Sequence, residues 1–283
     1  MRFSEDKINT LVCSDGKGRP IHIWESPEPK ALFLAIHGGM AHGGDFVTPA
    51  MYFKKYGITS IACDLHGHDL KKKVHIPGFK IFLDDLDLSM EWIKKKYPDL
   101  PIFIMGHSMG ALIATHYELK RPGNCEKIKG FILSSPYYLN AIKTSAALVK
   151  AAGILSALVP RMNVPIEDIS IYLTHDPAIA GRHIEDERDH IRASRVSARF
   201  ANELLKAQKY IPSNIHRWSH PLFCVVAGND RLANSEATLN YLEKIDKNLL
   251  TLHVYPDNYH ENFNEVNREE IFENILNWIE PLI

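Results

Sequence analysis

The chain has 283 residues, of which 45% are apolar and 24% are charged, and its formal net charge at pH 7 is -1. This length allows one large α/β domain or two smaller ones, and this composition excludes a disordered chain and gives no sign of nucleic-acid binding. The four cysteines lie far apart without CxxC spacing, which favours reduced thiols over a zinc site or a disulfide framework: Cys13, Cys63, Cys125 and Cys224.

Two segments are candidates for a secretory signal and for a membrane-spanning helix, and neither has the required sequence pattern. The N-terminal MRFSEDKINT has acidic residues and no apolar run, so it lacks the pattern of a secretory signal. The longest apolar stretch, residues 145 to 159, is shorter than the roughly 20 residues that span a bilayer, and it contains Lys150. We therefore expect a cytoplasmic location, and peripheral contact with a membrane surface stays open.

Short apolar runs of strand length alternate with longer helical patterns along the chain. Residues 8 to 27 predict an antiparallel edge hairpin around the turn Asp15-Gly16-Lys17-Gly18. Most later runs are apolar on both faces, as the buried strands of a parallel sheet must be. These runs are ALFLAIHGG (31 to 39), ITSIACDLHG (58 to 67), PIFIMGHS (101 to 108), KGFILSSP (129 to 136), PLFCVVAGND (221 to 230) and LLTLHVYPD (249 to 257). The alternation predicts an α/β fold with a mostly parallel central sheet flanked by helices.

Helical spacing is clearest in three segments. Residues 79 to 97 repeat apolar side chains at helical intervals, and residues 109 to 121 continue as a helix directly after a serine. Residues 267 to 283 predict a closing helix with Asn267 as its N-cap.

The alternation stops between about residues 137 and 217, where several helical stretches occur and no buried strand is evident. We interpret this segment as an insertion and not as a linker. The predicted division is a core made of residues 1 to 136 and 217 to 283, with a helical insertion at residues 137 to 216.

Gly106-His107-Ser108-Met109-Gly110 fits the pattern Gly-x-Ser-x-Gly, with an apolar strand before it and a helical pattern after it. A serine on such a tight turn is held in a strained backbone conformation, and the flanking glycines let the chain pass closely on either side. The hydroxyl is then exposed at a helix N-terminus, where free N–H groups favour developing negative charge. The pattern also occurs by chance, but this setting favours Ser108 as a nucleophile and the N–H of Met109 as an oxyanion donor.

A serine nucleophile needs a base, and the base needs an orienting acid, in the chain order Ser, Asp, His for this motif. Asp230 ends the apolar run FCVVAGND, which places it at the carboxyl end of a predicted strand, although an ordinary turn role is an alternative. His260 lies in the loop DNYHEN after the last strand and could reach the same sheet edge. His253 is a rival, but it lies within a strand and would point into a packed face. We therefore predict Asp230 as the acid and His260 as the base.

His37-Gly38-Gly39-Met40 follows a predicted strand and matches the glycine-rich loop that supplies a second oxyanion N–H. We favour the N–H of Gly39 as that donor, with Met40 as the alternative. The histidines of this region could instead suggest a metal site, but no carboxylate or cysteine spacing completes a ligand set with His37, His42, His66 and His68. No metal is predicted.

With these stretches in place, the chain resembles an α/β-hydrolase of the monoacylglycerol lipase and lysophospholipase group over nearly its full length. The matching stretches keep the order of that group: LAIHGGMAHGGDF, ACDLHGHD, YPDLPIFIMGHSMGALIA, ILSSPYY, VVAGNDRL and VYPDNYHENFNE. The resemblance implies the roles of nucleophile, acid, base and two oxyanion donors for Ser108, Asp230, His260, Gly39 and Met109. It also implies a helical cap after the sixth strand, in agreement with the break in the pattern.

Two departures from the group limit what it implies. The group usually has Gly-His-Gly-x-Ser after the fourth core strand, where this chain has Gly67-His68-Asp69-Leu70-Lys71, and this changes a loop beside the site. The cap sequence is only loosely similar, which leaves the substrate open. The lysines at 71 to 73 and 94 to 96 fit solvated faces better than sites for anionic head groups.

The cap segment at 145 to 159 is apolar nearly all round. It can pack on the core, form an acyl-chain gate or contact a membrane surface, and these roles are compatible. We expect Leu148, Ala152 and Leu155 among the substrate-binding residues. Because each buried CH₂ contributes roughly 0.8 kcal/mol, an apolar cap favours fatty esters over short polar ones.

The expected activity is hydrolysis of carboxylic esters through an acyl-enzyme, without a cofactor, on a lipid-like substrate such as a monoacylglycerol or a lysophospholipid. Other reactions of the same fold are alternatives: thioester hydrolysis, acyl transfer, cleavage of small esters and cofactor-free peroxidation. A catalytically idle ligand-binding protein is the alternative outside enzymes, and an intact triad argues against it. The sequence gives no oligomeric state.

Overall fold

A computed structural model describes residues 1–68, 73–142, 146–164 and 170–283, with the backbone only for residues 146–148. In these ranges eleven strands occur in chain order: β1 (Lys7–Val12), β2 (Gly18–Trp24), β3 (Ala31–Ile36), β4 (Ile58–Cys63), β5 (Lys73–Val74), β6 (Ile102–His107), β7 (Ile128–Ser134), β8 (Asn163–Val164), β9 (Arg195–Ser197), β10 (Leu222–Ala227) and β11 (Leu250–Tyr255). The eight α-helices of the same ranges are α1 (Val47–Lys54), α2 (Lys80–Lys96), α3 (Met109–Lys120), α4 (Ala146–Leu158), α5 (Pro177–Arg188), α6 (Ala198–Asn214), α7 (Ser235–Leu242) and α8 (Arg268–Ile279).

Eight of the strands form one twisted layer in the order β1-β2-β4-β3-β6-β7-β10-β11. The pairs β1 with β2 and β2 with β4 are antiparallel, and all later neighbours in the sheet are parallel. Strands β3, β4 and β10 are buried along their whole length, which explains why their sequences are apolar on both faces. The predicted edge hairpin and the mostly parallel sheet are confirmed.

Helices cover both faces of the sheet and give the core two layers. One buried cluster includes Phe82 of α2 and Leu112 of α3, on the same face of the sheet. The other includes Phe53 of α1 and Phe272 of α8, whose ring centroids lie 5.2 Å apart. Strand β6, with α3 directly after it, therefore lies between two apolar layers inside the sheet.

The closing helix is confirmed as α8, and Asn267 stands at its N-cap position as predicted. Asn267 precedes the helix and makes no side-chain capping hydrogen bond. Its Nδ2 group instead donates to Oδ1 of Asn258 at 2.9 Å, which ties the helix start to the loop after β11. Glu269 and Glu270 in the first turn supply the negative charge that a helix N-terminus favours.

The segment between β7 and β10 is an insertion after the sixth strand of the large sheet, as expected. It contains α4, α5 and α6, and α4 packs on α6. It also contains β8 and β9, which form a small sheet with β5 and which the sequence does not reveal. Strands of two or three residues are too short to show an alternating pattern. The exact division of the chain at residues 137 and 217 stays a prediction.

None of the described helices is both long and apolar enough to cross a bilayer. The four cysteines are free thiols, and all four are buried: Cys13, Cys63, Cys125 and Cys224.

We expect Gly110→Ala to lower the free energy of unfolding by about 3 kcal/mol, because the new methyl group would meet backbone. A Cβ at Gly110 would lie 1.9 Å from the carbonyl oxygen of Ile36 in β3. Gly181→Ala in α5 is the matched control, since no atom lies within 4 Å of a Cβ there and alanine favours a helix. Urea titration of both variants measures the difference, and equal stabilities would contradict the close approach of α3 to β3.

Candidate active site

Ser108 occupies the turn between β6 and α3 in a conformation that few residues adopt. Its φ is 56° and its ψ is -118°, in a region that costs a non-glycine residue about 1 to 3 kcal/mol. The turn is held by its own backbone: the N–H of Ser108 donates to the carbonyl of Ser134 at 2.9 Å, and its carbonyl accepts from Leu112 at 3.1 Å. The predicted strained turn between strand and helix is therefore present.

The parallel strands bring three predicted residues to one edge of the sheet. Ser108 follows β6, Asp230 lies after β10 and His260 lies after β11. Nε2 of His260 lies 2.7 Å from Oγ of Ser108, and Nδ1 of His260 lies 2.7 Å from Oδ2 of Asp230. A carboxylate only accepts, so Nδ1 carries the proton and donates it to Asp230. Nε2 is then free to accept the hydroxyl proton of Ser108.

Asp230 is fixed and ionised by its surroundings. Burial alone would raise the pKa of this carboxyl group, but the electrostatic interaction and the hydrogen bond with His260 lower it below its usual value. Two backbone N–H groups act in the same direction: those of Leu232 and Ala233 donate to Oδ1 at 2.8 and 2.9 Å. Asp230 therefore presents a carboxylate of fixed orientation to the imidazole.

The rival base, His253, lies away from this chain of hydrogen bonds. It is part of β11, and its ring stacks on Phe223 with centroids 4.9 Å apart. The expectation that it faces a packed surface is met.

The glycine-rich loop lies beside Ser108. A Cβ on Gly38 would be 3.4 Å from Cβ of Ser108, and one on Gly39 would be 3.8 Å from Sδ of Met109. Gly39 and the first residue of α3 therefore approach each other, as a shared oxyanion site requires. Which N–H donates, that of Gly39 or that of Met40, stays a prediction.

His37 orients this loop through its two ring nitrogens. Nε2 accepts the N–H of Leu65 at 2.9 Å, so Nδ1 carries a proton and donates it to the carbonyl of Gly38 at 2.8 Å. In a trans peptide the C=O and the following N–H point in opposite directions. The ring thus directs the Gly39 N–H away from itself. Burial lowers the pKa of His37 to about 4, which keeps the ring neutral.

A cavity of about 270 Å³ opens beside Ser108 and His260. Its apolar wall is formed by side chains of both the core and the insertion: Met40, Phe46, Leu173, Leu232 and Phe263. Its polar wall consists of Asp45, Glu187, Arg192, Glu261 and Asn264. Apart from Met40, sequence reasoning did not single out these residues, because the insertion residues among them belong to no motif and their approach to the core depends on tertiary packing.

Two of the three predicted substrate-binding residues of the cap lie away from this wall. Ala152 and Leu155 lie on α4 and are not among the residues that line the cavity. The side chain of Leu148 lies outside the described residues. A role for these three in substrate binding stays a prediction, as does the effect of the altered loop at 69 to 71, which also lies outside the described residues.

One group of side chains near the cavity has the composition of a metal site. Ligand atoms of His42, Asp45 and Asp186 lie within 4.8 Å of one another. Both carboxylates already bind arginines, however: Arg192 donates to Asp45 and Arg2 donates to Asp186, each at 2.7 Å. Such pairing fits a buried ion-pair network better than a cation site.

The sheet order, the serine turn and the helical insertion define the chain as an α/β-hydrolase. Residues 27–267 match the family Hydrolase_4, described as serine aminopeptidase, S33. The chain belongs to that family.

The relatives of the chain include two bacterial proteins and one protein of a slime mould. The chain is 30% identical to phospholipase YtpA of Bacillus subtilis, over 88% of this chain and 95% of that protein. It is 26% identical to a monoacylglycerol lipase of Mycolicibacterium smegmatis, over 89% of each chain. It is also 27% identical to an uncharacterized abhydrolase domain-containing protein of Dictyostelium discoideum, over 98% of this chain but only 29% of that longer protein.

A solved structure supports the fold. The monoacylglycerol lipase of Paleococcus ferrophilus superimposes with a TM-score of 0.81 at 22% identity, over 94% of this chain and 99% of that one. At this identity the likeness concerns the fold.

We expect the histidine beside Ser108 to make the protein sensitive to acid. Burial lowers the pKa of His107 from 6.5 to about 3, so below pH 6.5 the unfolded chain binds a proton there that the folded chain does not. The stabilisation by neutral His107 is complete above about pH 6.5 and declines as the pH falls towards 3. His107→Gln should therefore reduce the loss of unfolding free energy between pH 6 and pH 4 by up to about 1.4 kcal/mol per pH unit. Urea titrations at several pH values measure this slope, and identical slopes for both proteins would contradict it.

Proposed function

We propose that the protein hydrolyses carboxylic esters of lipid-like substrates with Ser108 as nucleophile, His260 as base and Asp230 as orienting acid. One observation carries this proposal: two hydrogen bonds of 2.7 Å connect the three side chains, and two of them, Ser108 on its strained turn and His260, line the cavity. The distances lie within the range in which a base takes up the proton of a nucleophile.

In the proposed reaction, Nε2 of His260 takes the proton of Ser108 while Oγ attacks the ester carbonyl. The oxyanion that forms accepts hydrogen bonds from the N–H of Met109 and from that of Gly39, with Met40 as the alternative donor. The imidazolium passes its proton to the leaving alcohol, and an acyl-enzyme remains. Water then attacks the acyl group by the same sequence of proton transfers. Neither a metal nor an organic cofactor enters these steps.

The lipid-like character of the substrate is supported by the relatives and by the insertion. The named relatives are a phospholipase and a monoacylglycerol lipase, and both match over most of this chain. On α4 of the insertion, Ile154 is 52% exposed and Leu158 is 76% exposed. We infer that this helix touches a lipid surface from the outside, which would make the protein peripheral at membranes, while an acyl chain occupies the apolar wall near Ser108.

The polar wall of the cavity favours a neutral alcohol portion over a phosphorylated one. Among the described residues, the carboxylates of Asp45, Glu187 and Glu261 line it together with one guanidinium, that of Arg192. An anionic phosphate would meet net repulsion there. Oδ1 of Asn264 is buried without a hydrogen-bond donor among the described residues, and a substrate hydroxyl could donate to it. These features favour a monoacylglycerol over a lysophospholipid.

We expect Ser108→Ala to abolish covalent labelling by a fluorophosphonate and to lower ester turnover by about 10⁴-fold or more. The label and the substrate both need the Oγ nucleophile, so both signals depend on this atom. Ser219→Ala is the control, since Oγ of Ser219 bonds to Glu118, outside the site. A labelled or fully active Ser108→Ala protein would overturn the assignment. Added thiol or alcohol acceptors that compete with water would instead indicate acyl transfer.

We expect kcat/KM for a monoacylglycerol to exceed that for a lysophosphatidic acid of the same acyl length by at least about tenfold. Glu187→Gln should narrow this ratio by roughly threefold to tenfold, because it removes one negative charge from the polar wall. Both substrates are assayed in the same detergent at several ionic strengths. A higher rate with the phosphorylated substrate would contradict the proposed preference.

A further inference from the structure

Arg192 connects the two loops that flank Ser108. It lies in the insertion just after α5, and its side chain is 13% exposed. Nη1 donates to Oδ2 of Asp45 at 2.7 Å, and Nη2 lies 3.4 Å from Oε1 of Glu261. Asp45 belongs to the short 3₁₀ helix Gly43–Phe46 that follows the glycine-rich stretch, and Glu261 follows His260 directly in the chain. One guanidinium thus bridges the glycine-rich loop and the loop of the base.

The backbone of the insertion makes parallel connections to both loops. The N–H of Ala193, next to Arg192, donates to the carbonyl of Met40 at 2.9 Å. Met40 is one of the few non-glycine residues with a positive φ, 63°, so this bond secures an unfavourable conformation. On the other side, the N–H of Glu261 donates to the carbonyl of Leu173 at 2.8 Å. The insertion therefore holds the position of both loops.

Arg192 is itself firmly placed. The N–H groups of Ile191 and Arg192 donate to the carbonyl of Asp186 at 2.8 and 3.0 Å, at the end of α5. The side chain of Asp186 is fully buried and pairs with Arg2. A guanidinium in this setting has little freedom to follow a displaced partner, so it sets the distance between Asp45 and Glu261.

The ionisation of Asp45 and of Glu261 depends on the positive charge of Arg192 between them. Burial alone would raise the pKa of Asp45 and of Glu261, but electrostatic interactions hold both pKa values below their usual range: Arg192 contributes most for Asp45, and His183 followed by Arg192 for Glu261. Without the guanidinium, two buried carboxylates would lose a counter-charge and would have to bind protons or move towards water. Either response shifts the loops that carry them.

We propose that Arg192 is a positioning residue for ester hydrolysis, which holds the glycine-rich loop and the His260 loop at the separation that the reaction needs. This inference rests on the proposed function. The Gly39 N–H and the His260 Nε2 must act on the same carbonyl group, and a shift of about 1 Å costs roughly 10²-fold in rate. Because both groups act mainly in the transition state, the effect falls on kcat and not on KM.

The test compares Arg192→Ala with wild type on a short, soluble p-nitrophenyl ester, whose acyl chain is too small to report on lipid binding. We expect kcat to fall about 10²-fold with KM changed by less than about threefold. Millimolar guanidinium should restore part of kcat in this variant by occupying the vacated position. The control is Arg199→Ala, because Arg199 is also an insertion arginine but donates within the insertion, to the carbonyl of Ser156 at 2.9 Å. It should keep the wild-type kcat.

If Arg192→Ala does not fold, Asp45→Asn tests the positioning role of Arg192. This variant keeps the shape of the side chain and weakens one end of the bridge, so kcat should fall about tenfold without rescue by guanidinium. A folded Arg192→Ala with the wild-type kcat, or an unchanged kcat in Asp45→Asn, overturns the positioning role. A variant that raises KM and leaves kcat unchanged overturns the positioning role as well. A wild-type protein that cleaves no ester and takes up no fluorophosphonate would instead refute the proposed function itself, so the two failures are distinguishable.

Discussion

The first turn of α3 approaches β3 so closely that position 110 has no space for a side chain. The carbonyl of Ile36 occupies the place where a Cβ would stand, and the same approach fixes the point at which α3 begins. The chain must then turn within one residue between β6 and α3, and Ser108 adopts the positive φ that this turn needs. Since the glycine-rich loop continues directly from β3, the same packing contact places it beside Ser108. Ser108 and the glycine-rich loop are therefore positioned by one constraint.

Near Ser108, burial keeps two histidines neutral, whereas an aspartate with a buried side chain stays ionised. His37 and His107 are enclosed and neutral, so they serve as hydrogen-bonding rings without adding positive charge beside His260. Asp230 remains a carboxylate because His260 and two backbone N–H groups compensate its burial. The imidazole of His260 is the ring whose Nε2 lies within hydrogen-bond distance of Oγ of Ser108, at 2.7 Å. This division of roles follows from the surroundings of each residue and not from its type.

Much of the fold and the central part of the site could be predicted from the sequence. Buried parallel strands are apolar on both faces, and the residues after them meet at one sheet edge, so Ser108, Asp230 and His260 could be assigned from their positions in the chain. The rest depends on tertiary contacts. Asn267 stands at the N-cap of α8 as expected, but its side chain bonds to Asn258, because a nearby loop offers its amide a partner. The polar wall with Arg192 has no sequence signal, since its partners are distant in the chain.

The bridge from Arg192 to Asp45 and Glu261 also has a consequence for the order of assembly. It joins residues separated by 147 and 69 positions, and such contacts cost chain entropy until the intervening sheet has formed. The active geometry is therefore completed late in folding, after the strands that carry its loops. In reverse, a local opening that releases the insertion would disturb the loops around Ser108 while the sheet persists. On gradual heating, catalytic competence should thus vanish earlier than the bulk secondary structure.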